Sequence, residues 1–384
     1  YLILNLIYLE AIVQILFGKI KNFSYQKFWR EELKTFNLNH ENIDINDLPS
    51  KCNIQINNKI ISLSKWVSPK RTRSYPFARV YDSFDSFGCK VATIIPIIKD
   101  EGIDGDIDYL QWDTISLMSL LNVYVILGFY EDAEENIRNT NKLNKITNQK
   151  LKSSFIYKQL EILNNYHQSA LHWNLNQLDN ENLLNLINKV KNSYNYISQK
   201  LKIKLHDVKN IDKFKINITK DKEAFMQYSR YKAKSAQNRE VLTLHNKESV
   251  GIGEKTKIEI ENYLGGYYYF TIDDVLDKNN ILYLIESKHS KNSILPSNDD
   301  IKDGLLKLML YNNLCEIRDL KTKRDFKIVL RLTSNTLKSN VDLPNNNLES
   351  FIKSNKLNKK QIEIIYKLNS ECERNKFYIW IQKA

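Results

Sequence analysis

Paired cysteines and a metal-ligating histidine pair are missing from this chain, and its first residues give no reason to expect a secretion signal. Its four cysteines, Cys52, Cys89, Cys315 and Cys372, are scattered over 384 residues without the spacing of a zinc site. Reduced thiols in a cytoplasmic protein are therefore expected. Among six histidines, His167 and His172 lie five apart on a predicted helix with no third ligand in view, so packing or surface roles are expected for both. The first eighteen residues, Tyr1 to Gly18, are almost wholly apolar. Asn5, Glu10 and Gln14 interrupt them at near-helical spacing, which predicts an amphipathic or core helix rather than a membrane span. There is no basic region and no small-residue cleavage site, so neither a signal peptide nor stable membrane association is expected. The chain begins at Tyr1 and not at a methionine, so its first residues are expected to be a truncation or to precede the native start. Calcium is set aside too: a loop starting at Asp100 would place Gly102 at a ligand position and Gln111 where a bidentate glutamate is needed.

What is present is positive charge and a long, patterned C-terminal half. The formal net charge is +12, from 57 Lys and Arg against 45 Asp and Glu. Between Asn141 and Glu240 there are 19 basic against 8 acidic residues, so +11 of the excess falls in that stretch. Heavy use of Asn, Lys and Ile inflates lysine by coding bias alone, but it does not concentrate charge locally; a polyanion-binding face does. At this length two domains are expected. We place a mainly helical region at 1–220, for DNA recognition or dimerisation, and a catalytic region at 221–384.

An acidic residue two before a lysine occurs at Glu32, Asp207, Glu286, Asp300, Asp319 and Asp325. Context separates one of the six. Glu286-Ser287-Lys288 ends the continuously apolar run Ile281-Leu282-Tyr283-Leu284-Ile285, which reads as a strand buried on both faces. On a strand Glu286 and Lys288 project together while Ser287 points away. Upstream, Asp273 and Asp274 precede Val275-Leu276, and Asp277-Lys278-Asn279-Asn280 is turn chemistry that folds the two runs into a hairpin. Two carboxylates brought together repel, and a hard divalent cation relieves that cost while keeping room for water and a phosphate oxygen. Mg2+ is the expected ion. Asp274 is the preferred first acid because the apolar pair follows it directly, with Asp273 as the alternate.

With its acid pair, hairpin and Glu286-Ser287-Lys288, this stretch resembles the catalytic core of the PD-(D/E)XK nuclease superfamily, and the surrounding text resembles type II restriction endonucleases. The name-giving proline is missing from Ile272-Asp273-Asp274. The resemblance implies a mixed α/β fold, a helix-rich N-terminal region followed by a central mixed sheet flanked by helices. It implies that Asp274, Glu286 and the backbone carbonyl of Ser287 hold Mg2+, and that Lys288 assists the attacking water. It also implies a further glutamate from an earlier helix or strand, for which Glu240, Glu259 and Glu261 are candidates. Double-stranded DNA as substrate, a homodimer and a cognate DNA methyltransferase in the same system follow from the restriction-type reading.

Other segments carry weaker expectations. Ser297 to Asp300 reads as a helix start, and Ile301, Leu305, Leu308, Met309 and Leu314 recur at helical spacing, with Lys302 and Lys307 off that stripe and free to meet backbone phosphate. Lys232 and Lys234, in the basic stretch, are candidates of the same kind. The basic and aromatic block from Lys70 to Arg79 offers Arg71, Arg73 and Arg79 to phosphate or a guanine edge. Two other functions remain in view: a nuclease of the same superfamily serving repair or mobile elements, and a non-catalytic basic DNA-binding protein.

Overall fold

Asn279 and Asn280 form a two-residue turn, both with positive φ (53° and 65°), and Lys278 pairs with Ile281 across it. Paired left-handed residues match the twist of the strands they join, and asparagine tolerates that conformation. The turn fixes the register between the strands Tyr267–Lys278 and Ile281–Ser290, in which Asp274 stands opposite Ile285. In this computed structural model the described residues are 15–384, without 39–42, 72, 85–87, 138–140, 221, 243–253 and 320–321.

The protein is a mixed α/β chain built on two main sheets. The larger has eight strands in the order Ile281–Ser290, Tyr267–Lys278, Glu254–Asn262, Ile15–Ile20, Leu314–Asp319, Thr322–Ser334, Tyr378–Lys383 and Val341–Leu343. Because Ile281–Ser290 also pairs in parallel with Thr322–Ser334, the first six strands close into a ring. The long strand Thr322–Ser334 makes this possible by changing partners along its length. Its beginning pairs with Leu314–Asp319, and Val329–Ser334 pairs with Tyr378–Lys383. A second, five-stranded sheet runs Thr35–Asn37, Lys51–Ile56, Lys59–Lys65, Lys90–Pro96, Tyr124–Gly128.

The expected division at residue 220 does not follow the sheets. Ile15–Ile20 lies inside the C-terminal sheet, parallel to Glu254–Asn262 on one side and antiparallel to Leu314–Asp319 on the other. Gly18 is needed there, since a Cβ at that position would sit 2.7 Å from Leu314 Cδ2. The helix expected across Tyr1 to Gly18 is thus a strand from Ile15 onward, its backbone hydrogen bonds satisfied by two neighbours; residues 1–14 lie outside the described ones. The first region combines helices and strands. Strands predominate from Ile15 to Leu151, and helices take over only from Ser153 to Thr219. Period-2 runs such as Lys51–Ile56, buried at every second residue, carried that information. Among the described residues no helix is long and apolar enough to cross a membrane.

One helix positions the site. Asn298–Asn312 begins at Ser297, whose side chain accepts from the Asp300 backbone N–H, and it packs on the strands Ile281–Ser290 and Thr322–Ser334. Ile301, Leu305, Leu308 and Met309 are fully buried, as the spacing predicts. Lys302 is equally buried, so this helix has less solvent face than a simple amphipathic reading gives it.

Candidate active site

The strand Ile281–Ser290 is covered less completely than its sequence suggests, with Ile281 and Tyr283 only half-buried. Yet Leu284, Ile285 and Glu286 are sealed from solvent. Glu286 faces the helix Asn298–Asn312. Its Oε1 accepts from Lys307 Nζ at 2.7 Å and lies 3.1 Å from Lys288 Nζ, and Lys288 also meets Asp303 at 2.9 Å. Burial alone would raise the Glu286 carboxyl, but the charges of Lys307 and Lys288 outweigh it and hold it below its ordinary value. For both lysines burial pulls the pKa down, and the Glu286 carboxylate more than reverses it, so both stay charged.

The hairpin separates the two aspartates. The ladder ends at the Asp274–Ile285 pair; one residue further along each strand come Asp273 and Glu286, near enough for their charges to interact. Its Oδ2 accepts the Ser287 backbone N–H at 2.8 Å, and burial followed by repulsion from Glu286 pushes its carboxyl up to about 7. Asp274 points to the other face. There Arg331 Nη1 donates to its Oδ2 at 2.9 Å while Arg331 Nε reaches Ser287 Oγ at 3.0 Å. The structure thus brings Asp273, the alternate, and not the preferred Asp274, beside Glu286. The apolar pair Val275-Leu276 carries no information on which acid that is. His289 also lies away from Glu286, with Nδ1 3.0 Å from Thr333 Oγ1.

The donor set fits a hard divalent cation. Glu286 Oε2 is buried without a hydrogen-bond partner, and desolvation together with Glu286's charge pushes the neighbouring Asp273 toward protonation. A cation between the two would satisfy the orphaned oxygen and remove the repulsion. Among the described residues no group of three or more His, Cys, Asp or Glu side chains is placed to hold a metal ion. Two carboxylates are enough for Mg2+, which keeps several waters and borrows phosphate oxygens from its substrate.

Sequence reasoning missed two members of this cluster. Lys307, expected to meet backbone phosphate, turns inward onto Glu286; the helix is covered on that side and its ammonium is matched by a buried carboxylate. Asp303, four residues before it on the same face, was not singled out at all. The i, i+4 spacing of an acid and a lysine on a helix beside the motif was the available signal. Close packing holds this arrangement: a Cβ on Gly304 would lie 2.8 Å from Leu330 Cδ1, 3.4 Å from Lys288 Cε and 3.7 Å from Glu286 Cγ.

The other candidates fall elsewhere. Lys302 is buried in an ion-pair cluster with Glu31 and Asp82, each at 2.6 Å, and stacks over Trp29, so it is unavailable to DNA. Arg73 is taken up by Glu101, Asp106 and Asp108, carboxylates of the loop once weighed for calcium. Arg79 donates to the Lys65 carbonyl at 2.7 Å. Arg71 alone of the three reaches toward the site, its guanidinium 4.3 Å from the Phe270 ring centre. Lys232 and Lys234 are exposed on the helix Lys222–Leu242, and Lys234 lies 3.4 Å from Glu259. Glu259 pairs with Tyr269, four residues before Asp273, and Glu261 with Tyr267, so neither joins the Glu286 cluster. Glu240 lies in the helix Lys222–Leu242, its side chain outside the described ones.

No family model, no curated protein and no solved structure matches this chain. The chemistry of the site is therefore judged on its own geometry.

Proposed function

We propose that the chain is a Mg2+-dependent endodeoxyribonuclease of restriction type, hydrolysing phosphodiester bonds of double-stranded DNA. One observation carries the reading. Two neighbouring carboxylates, the half-buried Asp273 and the buried Glu286, lie with two ammoniums, Lys288 and Lys307, at the end of a strand in the large sheet. A structural ion pair does not need a second, repelled acid or an orphaned oxygen; a cation and phosphate site does.

Asp273 and Glu286 would hold Mg2+, with the Ser287 carbonyl as the third protein oxygen, and the ion would supply a more acidic water and neutralise charge on the phosphate. Lys307 fixes Glu286 through Oε1, leaving Oε2 free to turn to the metal side. Lys288, held between Glu286 and Asp303, stays protonated and offers positive charge to the water-derived nucleophile or to the pentacovalent phosphorus oxygens. Asp273 loses its proton near neutrality, so the two-carboxylate state is reached where such an enzyme works. Water attack on phosphorus would form the new P–O bond as the bond to the leaving ribose oxygen breaks, the water's proton passing through solvent to that leaving oxygen, with no covalent enzyme intermediate.

Duplex cleavage by one active centre per chain is met by a homodimer, and a restriction role entails a DNA methyltransferase as partner. The test is digestion of a sequenced plasmid in Mg2+ by the parent chain, Glu286→Ala and Lys288→Ala, with the ends mapped. Discrete fragments that vanish in both variants and in EDTA support the reading. Diffuse or branch-dependent cutting that vanishes in the same way points to a repair or mobile-element nuclease. Cleavage that survives Glu286→Ala refutes the mechanism, and DNA binding without cleavage in any metal leaves a basic DNA-binding protein.

A further inference from the structure

Beside the candidate active centre is a cavity of about 330 Å3 lined by Arg71, Ser74, Tyr75, Phe77, Phe270, Thr271, Asp303 and Lys307. Two of these residues, Asp303 and Lys307, belong to the acid and lysine cluster already described. Thr271 lies two residues before Asp273 on the same strand, and Asp303 and Lys307 belong to both the cavity wall and the site, so the two adjoin. The far wall comes from the basic and aromatic block of the N-terminal half. This is where that block meets the chemistry, which its sequence gave no means of predicting.

Four observations describe what the cavity would take. Its walls are aromatic: Phe77 and Phe270 are buried and Tyr75, 46% exposed, stands at the rim. Arg71 stacks on Phe270 and donates from Nη2 to the Tyr269 carbonyl at 3.1 Å, and among the described residues no carboxylate forms an ion pair with it. Thr271 Oγ1 is a buried hydroxyl without a hydrogen-bond partner, on a residue only 2% exposed. Ser74 and Tyr75 are both left-handed, with φ of 59° and 50°, a conformation costly for non-glycine residues. Flat apolar walls suit a base, a guanidinium suits a phosphate, and an unpaired hydroxyl suits one polar edge. The volume is of the order of one nucleotide.

We propose that this cavity is a one-nucleotide pocket, which receives a single unstacked nucleotide of the bound DNA strand next to the phosphodiester to be cut. Arg71 pairs with its phosphate, Tyr75 stacks on its base and Thr271 hydrogen-bonds its edge. The inference rests on the nuclease reading of Asp273 and Glu286 and deepens it: the substrate at this site is a strand with one base out of the stack, not an undistorted duplex. A base already unpaired costs least to place there.

The test uses the full chain with Glu286→Gln to prevent turnover, and a DNA duplex carrying a single unpaired 2-aminopurine. Binding is expected to change 2-aminopurine fluorescence, and Tyr75→Ala to abolish that change. Arg71→Ala and Tyr75→Ala should each weaken binding to this probe by about tenfold, and binding to a fully paired duplex by less. Tyr75 is exposed, so its substitution leaves the fold intact, and circular dichroism checks Arg71→Ala. If both variants bind and, with Glu286 restored, cut as the parent does, the pocket assignment is wrong while the nuclease reading stands. If no metal-dependent cleavage exists but binding still depends on Arg71 and Tyr75, the nuclease reading fails and the pocket stands. Free dAMP bound as tightly as the probe would overturn the assignment to a DNA strand.

Discussion

Replacing Asp273 by asparagine separates the two aspartates and tests the electrostatics of the site in one variant. The Asp273 carboxyl is raised from 3.8 to about 7 by burial and by Glu286. An acid whose folded pKa is raised contributes its full share of stability below its unfolded value and loses it as pH climbs to the folded one, because the folded state binds the extra proton in between. In metal-free buffer the parent should therefore lose stability between about pH 4 and pH 7. At about 1.4 kcal/mol per pH unit, a shift from 3.8 to about 7 corresponds to an upper bound on the order of 4 kcal/mol. Asparagine keeps an oxygen to accept the Ser287 N–H and carries no charge, so Asp273→Asn should match the parent below about pH 4 and exceed it by a margin that grows up to about pH 7. Asp274→Asn should do the opposite, losing the Arg331 ion pair of a fully buried carboxylate and destabilising the protein throughout the neutral range. Urea denaturation in EDTA at pH 5 and pH 8.5 measures both, and Mg2+-dependent cleavage should vanish in Asp273→Asn. The reasoning fails if Asp273→Asn is as destabilised at pH 8.5 as at pH 5, or if it cuts DNA and Asp274→Asn, still folded, does not.

Three further outcomes follow from the packing around these residues. Lys307→Met removes one of two ammoniums on a buried carboxylate, so cleavage should fall by at least about tenfold and metal-free stability by roughly 3 kcal/mol, read by plasmid nicking and denaturation. Gly304→Ala should cost roughly 1–2 kcal/mol after the helix-propensity gain, because its Cβ meets Leu330; its pressure on Lys288 should lower the cleavage rate of the folded protein with little effect on DNA affinity. Glu371→Ala, remote from the site, should destabilise by about 3 kcal/mol or more. Glu371 is fully buried and accepts from the hydroxyls of Tyr25 and Tyr81 and the amides of Phe28 and Trp29, all of which its loss leaves stranded; thermal unfolding checks this.

Much of the site region was legible in the chain. The turn asparagines, the apolar run before Glu286 and the serine before Asn298 are local signals, and local signals specify hairpins and helix starts directly. Lys302 and Lys307 show the limit. Both are lysines on one helix near the motif, and nothing in their neighbours along the chain separates them. Only the fold gives Lys302 to Glu31 and Asp82 and Lys307 to Glu286. Arg71 and Arg73, two apart in sequence, diverge for the same reason, one onto Phe270 and one into a set of carboxylates.

By itself the sequence determined the elements: which segments are strands around Glu286, where the chain turns back, and that an acid and a lysine project together from one strand end. Tertiary structure decided which partners those side chains meet. It brought Asp273 and not Asp274 beside Glu286 and closed six strands into a ring by borrowing Ile15–Ile20 from the far end of the chain. It also carried Arg71 and Tyr75 to a cavity beside Lys307. Periodicity is a property of neighbours along a chain, whereas charge pairing and cavity walls depend on residues hundreds of positions apart, whose meeting no local pattern records.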